Sequence, residues 1–291
     1  MNGKLNVIHS FWSKPKSNGG RIDFAKMDNE YADLLCCAVS VAFCKRNELN
    51  ISLYTDGKGA ERYGWLPYGD VVLCLDNHDF EKDFWASGKI VAQEHAPIGA
   101  IHIDMDVFLK TQKAIDAILA HRNKDLIVQN REFNYENNNW NKNAVAKVLN
   151  LLGSPLVSDM PEIDWSKDIH AYCCGLLGFS SENLKQMFIA GYKRLYEKII
   201  TSPEWENQRN SRDCIDLLTE QAYLYSCANY LKSEVGYLFG TRGDWYAGAR
   251  EIDYAHLIHT SKYQPSIIAR NEEILKEIAP EIHKKIVEHK N

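Results

Sequence analysis

The chain has 291 residues, 45% hydrophobic and 25% charged, which supplies a sizeable core and excludes an intrinsically disordered chain. Its net charge of −5 counts against a dedicated nucleic-acid clamp, which would be basic. Eight cysteines occur without CxxC or zinc-type Cys/His spacing, so they read as small buried hydrophobes in a reducing cytoplasm.

A strand pattern begins by Leu5 and runs to Phe11, so no signal peptide is expected, and no apolar run is long enough to span a bilayer. Asp28 to Arg46 has helical character, with Ala32, Leu35, Cys36, Val39 and Phe43 at three- and four-residue steps. Ile51 to Thr55 reads as a second strand, closed by a turn at Asp56-Gly57, and Asp70 to Leu75 as a third. Phe80 to Gln93 reads as a helix interrupted at Gly88, and Ile98 to Ile103 as a fourth strand that delivers Asp104. Arg131 to Asn143 reads as an Asn-rich loop, and Ala171 to Phe179 as a strand followed by a glycine turn. Glu182 to Ile200, Cys214 to Lys232 and Glu273 to His289 are helical patterns. Strands alternating with helices predict an α/β fold, a mixed and mostly parallel central sheet flanked by helices. One domain spanning 1–291 is expected, its halves 1–153 and 154–291 meeting near Gly153-Ser154-Pro155.

In such sheets ligands bind beyond the carboxyl ends of the strands. His9-Ser10, Thr55-Asp56, Asp76-Asn77 and Asp104-Met105-Asp106 all fall there, so His9, Ser10 and Asp56 are candidate ligand-binding residues. The acidic couplet carries the most information. Two carboxylates one residue apart at a strand end suit a hard cation, Mn²⁺ or Mg²⁺, that keeps positions open for phosphate oxygens. If the strand persisted, His102, Asp104 and Asp106 would share a face; a turn at Met105 would split the aspartates between a metal and a ribose. His102 reads either as a group behind the couplet or as a histidine satisfied in the core. Late in the chain, His256-Leu257-Ile258-His259-Thr260-Ser261-Lys262 offers an imidazole ligand and an ammonium for phosphate.

An apolar strand into Asp-x-Asp, followed far downstream by a His…Lys motif, resembles the GT-A glycosyltransferases, especially the glycogenin-like and bacterial lipopolysaccharide galactosyltransferase-like families. Ile101 to Leu109 resembles their metal-binding segment, and His256 and Lys262 have the spacing of their His-x-x-Gly-x-x-Lys motif. His259 stands where those families carry Gly, which leaves His256 or His259 as the ligand. Phe84 to Lys89 is similar to the helix before the acidic motif, whose basic residue approaches donor phosphates. Tyr172 to Gly178 is similar to the acceptor-side Asn-x-Gly-x-x-Gly strand, with Cys173 in place of Asn, and Glu220-Gln221 to the acidic/Gln pair that follows. The resemblance implies a metal-dependent transferase moving a sugar from a nucleoside-diphosphate sugar to a glycan, lipid or protein acceptor, without nucleic acid and with peripheral membrane contact open. It implies Asp104, Asp106 and His256 as metal ligands, with Asp104 also open to the ribose. Lys262 and Lys89 would meet phosphate, and Glu220 or Asp168 would orient the acceptor hydroxyl.

Three alternatives remain in view. The chain could bind a nucleotide sugar without turnover, as the Cys173 and His259 departures allow. Asp-x-Asp also serves haloacid dehalogenase-type phosphatases, but there no strand-helix units precede it. His-Ile-Asp-Met-Asp-x-Phe resembles the first motif of Y-family polymerases, but the motif is far from the N-terminus here and no Ser-x-Asp-Glu partner follows.

Overall fold

The structure is a computed structural model; it describes residues 4–15, 29–132, 159–163, 170–203, 205, 215–239 and 245–290. The chain sorts into two compact units that interleave along the sequence. The first comprises Met1–His78, Ala100–Ala120 and Tyr246–Asn291, and the second Asp79–Gly99 and His121–Trp245. The expected boundary at Gly153-Ser154-Pro155 lies outside the described residues, and the first unit draws on both expected halves.

In the first unit, β1 (Asn6–Phe11), β2 (Asn50–Thr55), β3 (Asp70–Leu73) and β4 (Ile101–Ile103) are parallel, in the spatial order β3-β2-β1-β4. Val7 aligns with Ile51 on one side and Ile101 on the other, and all three are buried. Parallel strands need crossovers, and the helix α1 (Asn29–Arg46) supplies the one from β1 to β2. The sequence predicts one apolar stripe on α1. The helix instead buries nearly its whole circumference: Cys37, Ala38, Val41 and Ala42 are as buried as Leu35 and Val39. Such a helix lies inside the unit, not on its surface. Its small Cys and Ala side chains allow close approach by α8 (Pro265–Ile278), where Asn271 Nδ2 meets Cys36 Sγ at 3.5 Å. Asp56-Gly57, expected as a turn, starts a short helix α2 (Gly57–Tyr63). Asp56 caps it by accepting from the Gly59 amide at 2.8 Å.

A second, two-stranded sheet positions the candidate site. β5 (Val107–Leu109) pairs antiparallel with β9 (Tyr254–His256), Val107 standing opposite His256. The ladder extends past both ends: Leu257 N donates to Asp106 O at 3.0 Å and Lys110 N to Asp253 O at 3.1 Å. Asn47 at the end of α1 donates to Leu109 O at 2.8 Å, which ties this ribbon to the buried helix. The helix α4 (Gln112–Leu119) follows β5, capped by Thr111, while α7 (Trp245–Glu251) precedes β9. The expected closing helix 273–289 is two helices, α8 and α9 (Pro280–Lys290), because Pro280 cannot donate into a continuing helix.

In the second unit, β6 (Leu126–Arg131) lies between β7 (Tyr172–Phe179), to which it is antiparallel, and β8 (Val235–Tyr237), to which it is parallel. The strand expected at Ala171 to Phe179 is β7, buried along its entire length, and the glycine turn expected to follow it is absent: Gly178 lies inside the strand. The helix expected from Phe80 is confined to α3 (Ser87–His95), and residues 79–86 form turns. α5 (Glu182–Ile200) matches its expected limits, with Ser181 accepting from the Leu184 amide. Within the pattern at 214–232, Leu217–Ala222 form a π-helical turn that leads into α6 (Tyr223–Tyr230). Phe84, Leu126, Val128, Phe188, Leu195, Tyr223 and Cys227 belong to one core. Gly191 admits Tyr223 there: a Cβ would lie 1.5 Å from the phenol oxygen. The whole is a mixed α/β fold whose strands run mostly parallel and whose faces carry helices.

Candidate metal and phosphate site

The Asp104-Met105-Asp106 segment turns sharply where β4 ends. Val107 N donates back to Asp104 O at 2.9 Å, so the strand does not continue straight through the couplet. Because Val107 pairs with His256, the turn and the late imidazole are brought to one place. One ligand atom each from Asp104, Asp106 and His256 lies within 4.8 Å of the others. His256 Nε2 is 3.5 Å from Asp106 Oδ1 and 3.9 Å from Asp104 Oδ2. Two carboxylate oxygens and one imidazole nitrogen form a donor set that fits Mn²⁺ or Mg²⁺, and the partial exposure of Asp104 leaves a side for further oxygens.

Lys262 completes the group. It sits on a 3₁₀ turn, His259–Tyr263, and its ammonium donates to Asp106 Oδ2 at 2.7 Å. Asp33, on α1, lies 3.8 Å from the same ammonium and accepts from Tyr263 OH at 3.2 Å. Burial pushes the Asp106 carboxyl up, but Lys262 and the hydrogen bond from His256 outweigh it and hold the group well below the usual carboxylate range. Burial likewise lowers Lys262, and Asp106 and Asp33 together raise it above an ordinary lysine. Both groups therefore stay charged at neutral pH.

Beneath this cluster lies a polar seam. Ser10 Oγ meets His102 Nε2 at 2.8 Å, and His102 Nδ1 lies 3.9 Å from Asp104 Oδ1. His9 points the other way. Its Nδ1 meets Tyr68 OH at 2.8 Å and its Nε2 meets Ser40 Oγ at 3.0 Å, while Ser40 donates to Val107 O at 2.6 Å. Complete burial lowers His9 to about 3, so it is neutral. Asp56 accepts from Ser13 N and Ser13 Oγ in addition to its helix cap, and thereby fastens the loop after β1.

Lys89 and Glu220, in the second unit, meet each other: Nζ is 2.8 Å from Oε1, and the ammonium also donates to Cys174 O at 3.0 Å. Both side chains are buried. Asp168 and the side chain of His259 lie outside the described residues. The structure thus gathers Asp104, Asp106, His256 and Lys262, places His102, which Ser10 meets, 3.9 Å from Asp104, and joins Lys89 with Glu220. Asp33 and Tyr263 were not singled out from the sequence. Asp33 had a signal, a lone carboxylate within the long apolar run of α1.

Among the described residues, no helix is long and apolar enough to cross a membrane. The chain is similar to the galactosyltransferase LgtC solved with donor and acceptor sugar analogues, at 12% identity and a TM-score of 0.49, over 94% of this chain and 96% of that one. It is likewise similar to an active-site mutant of LgtC at 12% identity and a TM-score of 0.45, with the same coverage. Likeness at that level carries no functional weight. No curated protein matches the chain. A family model described as a family of unknown function, DUF6734, matches residues 5–289, and the chain belongs to that family.

Proposed function

We propose that this protein is a metal-dependent glycosyltransferase that moves a sugar from a nucleoside-diphosphate sugar to a hydroxyl acceptor. The observation that carries the reading is the cluster of Asp104, Asp106 and His256 within 4.8 Å, with the Lys262 ammonium against it. The resemblance of Ile101–Leu109 and His256–Lys262 to GT-A motifs points the same way. Asp104, Asp106 and His256 would hold Mn²⁺ or Mg²⁺. When bound, the cation supplies positive charge to the diphosphate as the sugar–oxygen bond breaks.

Lys262 supplies a second positive charge for the same leaving group. It is held on Asp106 and Asp33, so it turns from a carboxylate to a phosphate without leaving the neighbourhood. Asp104, at the rim of the turn, has room for a ribose or a cation. In this reading Ser10 borders the donor, while His9 and Asp56 shape the ends of β1 and β2 from below. Glu220 and Asp168 are the acceptor-side carboxylates, Glu220 being paired with Lys89. The whole chain would act as one functional unit, and the buried thiols of Cys36, Cys44 and Cys227 suit a reducing, cytoplasmic setting. Burial pushes the Cys44 thiol up to about 12, which leaves it a packing group.

A thermal-shift series tests the reading. Nucleoside diphosphates with Mn²⁺ should raise the melting temperature, with one base preferred. Asp106→Ala should abolish that shift and lower donor turnover by at least about a hundredfold. Full metal-dependent turnover in Asp106→Ala would end the proposal. Binding without turnover across donors and acceptors would favour a second reading, a nucleotide-sugar-binding protein, for which buried Cys173 in place of the family Asn is the specific observation.

A further inference from the structure

We infer that His102 is a positioning residue that orients the Asp104 carboxylate toward the cation, with Ser10 fixing the imidazole from behind. The inference rests on the metal reading above and assigns the side chain that makes Asp104 a ligand.

His102 is the central residue of β4, between two buried isoleucines, and is itself 1% exposed. An imidazole at such a place costs free energy unless its nitrogens find polar partners. Parallel pairing sets Ile8 of β1 beside His102, and Ser10, two residues further along, shares that face. Its hydroxyl reaches His102 Nε2 at 2.8 Å. The other nitrogen faces forward, 3.9 Å from Asp104 Oδ1. With the Ser10 hydroxyl donating to Nε2, the ring proton falls on Nδ1, facing the carboxylate. Asp104 turns its second oxygen, Oδ2, toward His256. The Nδ1 side of His102 thus faces one oxygen, at a distance that a small turn of the carboxylate closes to a hydrogen bond, and the other oxygen is presented to the cluster. This is the arrangement by which outer groups tune a ligand, and their loss weakens metal binding roughly 10- to 100-fold.

A histidine merely satisfied in the core would change stability and leave metal affinity where it was. The amide nitrogen of Asn overlays His Nδ1 and that of Gln overlays Nε2, so His102→Asn and His102→Gln separate the two roles. Mn²⁺ affinity of the full chain is measured by electron paramagnetic resonance of the free ion, without nucleotide, alongside the metal-free melting temperature. His102→Asn, which keeps a donor toward Asp104, should bind close to wild type. His102→Gln, which does not, should bind about tenfold or more weakly at a similar melting temperature. Ser10→Ala removes only the hydroxyl behind the ring. It should weaken binding severalfold, and it serves if His102→Gln fails to fold. Wild-type affinity in His102→Gln and Ser10→Ala, or equal losses in the Asn and Gln variants, would overturn the inference. Equal Mn²⁺ affinity in wild type and Asp106→Ala would instead remove the metal site itself.

Discussion

Individual polar residues divide here into those that serve the candidate site and those that stabilise the fold. His9 belongs to the second kind. Its buried imidazole is held neutral, lowered to about 3, whereas in the unfolded chain it titrates near 6.5. Between those values the unfolded state binds the extra proton, so stability falls as pH drops through that window and is recovered above 6.5. The slope approaches about 1.4 kcal/mol per pH unit for one such group. Urea unfolding at pH 6 and pH 5 should show His9→Asn losing less stability than wild type over that interval; parallel loss would mean that His9 is not the group responsible. Lys89 poses the opposite case, a buried charge held by a buried partner. Lys89→Met strands Glu220 and should cost about 3–5 kcal/mol, while Lys89→Met with Glu220→Met should recover most of it. Equilibrium denaturation of the two variants decides the point, and an equal loss in both would show that packing outweighs the charge.

At the scale of elements, the short β5–β9 ribbon matters more than its length indicates. Three residues on each strand are paired, and that pairing, extended by Leu257 N donating to Asp106 O, sets His256 beside Asp106. Ala255 stands opposite Phe108 in the middle of the ladder. Proline there can donate no hydrogen bond. Ala255→Pro should therefore reduce Mn²⁺ affinity by about tenfold or more, while far-UV circular dichroism remains near wild type. Undiminished affinity would show that the ribbon does not hold the ligand. The long periodic elements were legible in the sequence. α5 has its expected limits, and α1 begins within a residue of its expected start. Elements whose limits depend on neighbours were not. Phe84 looks helical in sequence, yet its turn sits in an aromatic cluster with Tyr196 and Trp205, and tertiary packing wins there over local pattern.

At the scale of the whole molecule, only the first unit contains all the residues of the acidic and imidazole cluster. Ligand binding there should be visible locally. Amide exchange with and without Mn²⁺ should slow in peptides covering 101–109 and 254–263 and stay unchanged in those covering 182–200. A uniform change, or protection confined to 182–200, would contradict the assignment of the ion to the first unit.

The sequence by itself determined the α/β class, the strand leading to Asp104, and the nearness of Asp104 to Asp106, because each follows from residues adjacent in the chain. It also held the His…Lys spacing of the late motif, which a short segment carries intact. Only the tertiary structure decided that Lys262 reaches Asp106 across 156 positions, that Asp33 shares its charge, and that His102, held by Ser10, faces Asp104. The physical reason is that strand register and helix burial are settled by contacts between distant segments, and local periodicity carries no record of which segments those are.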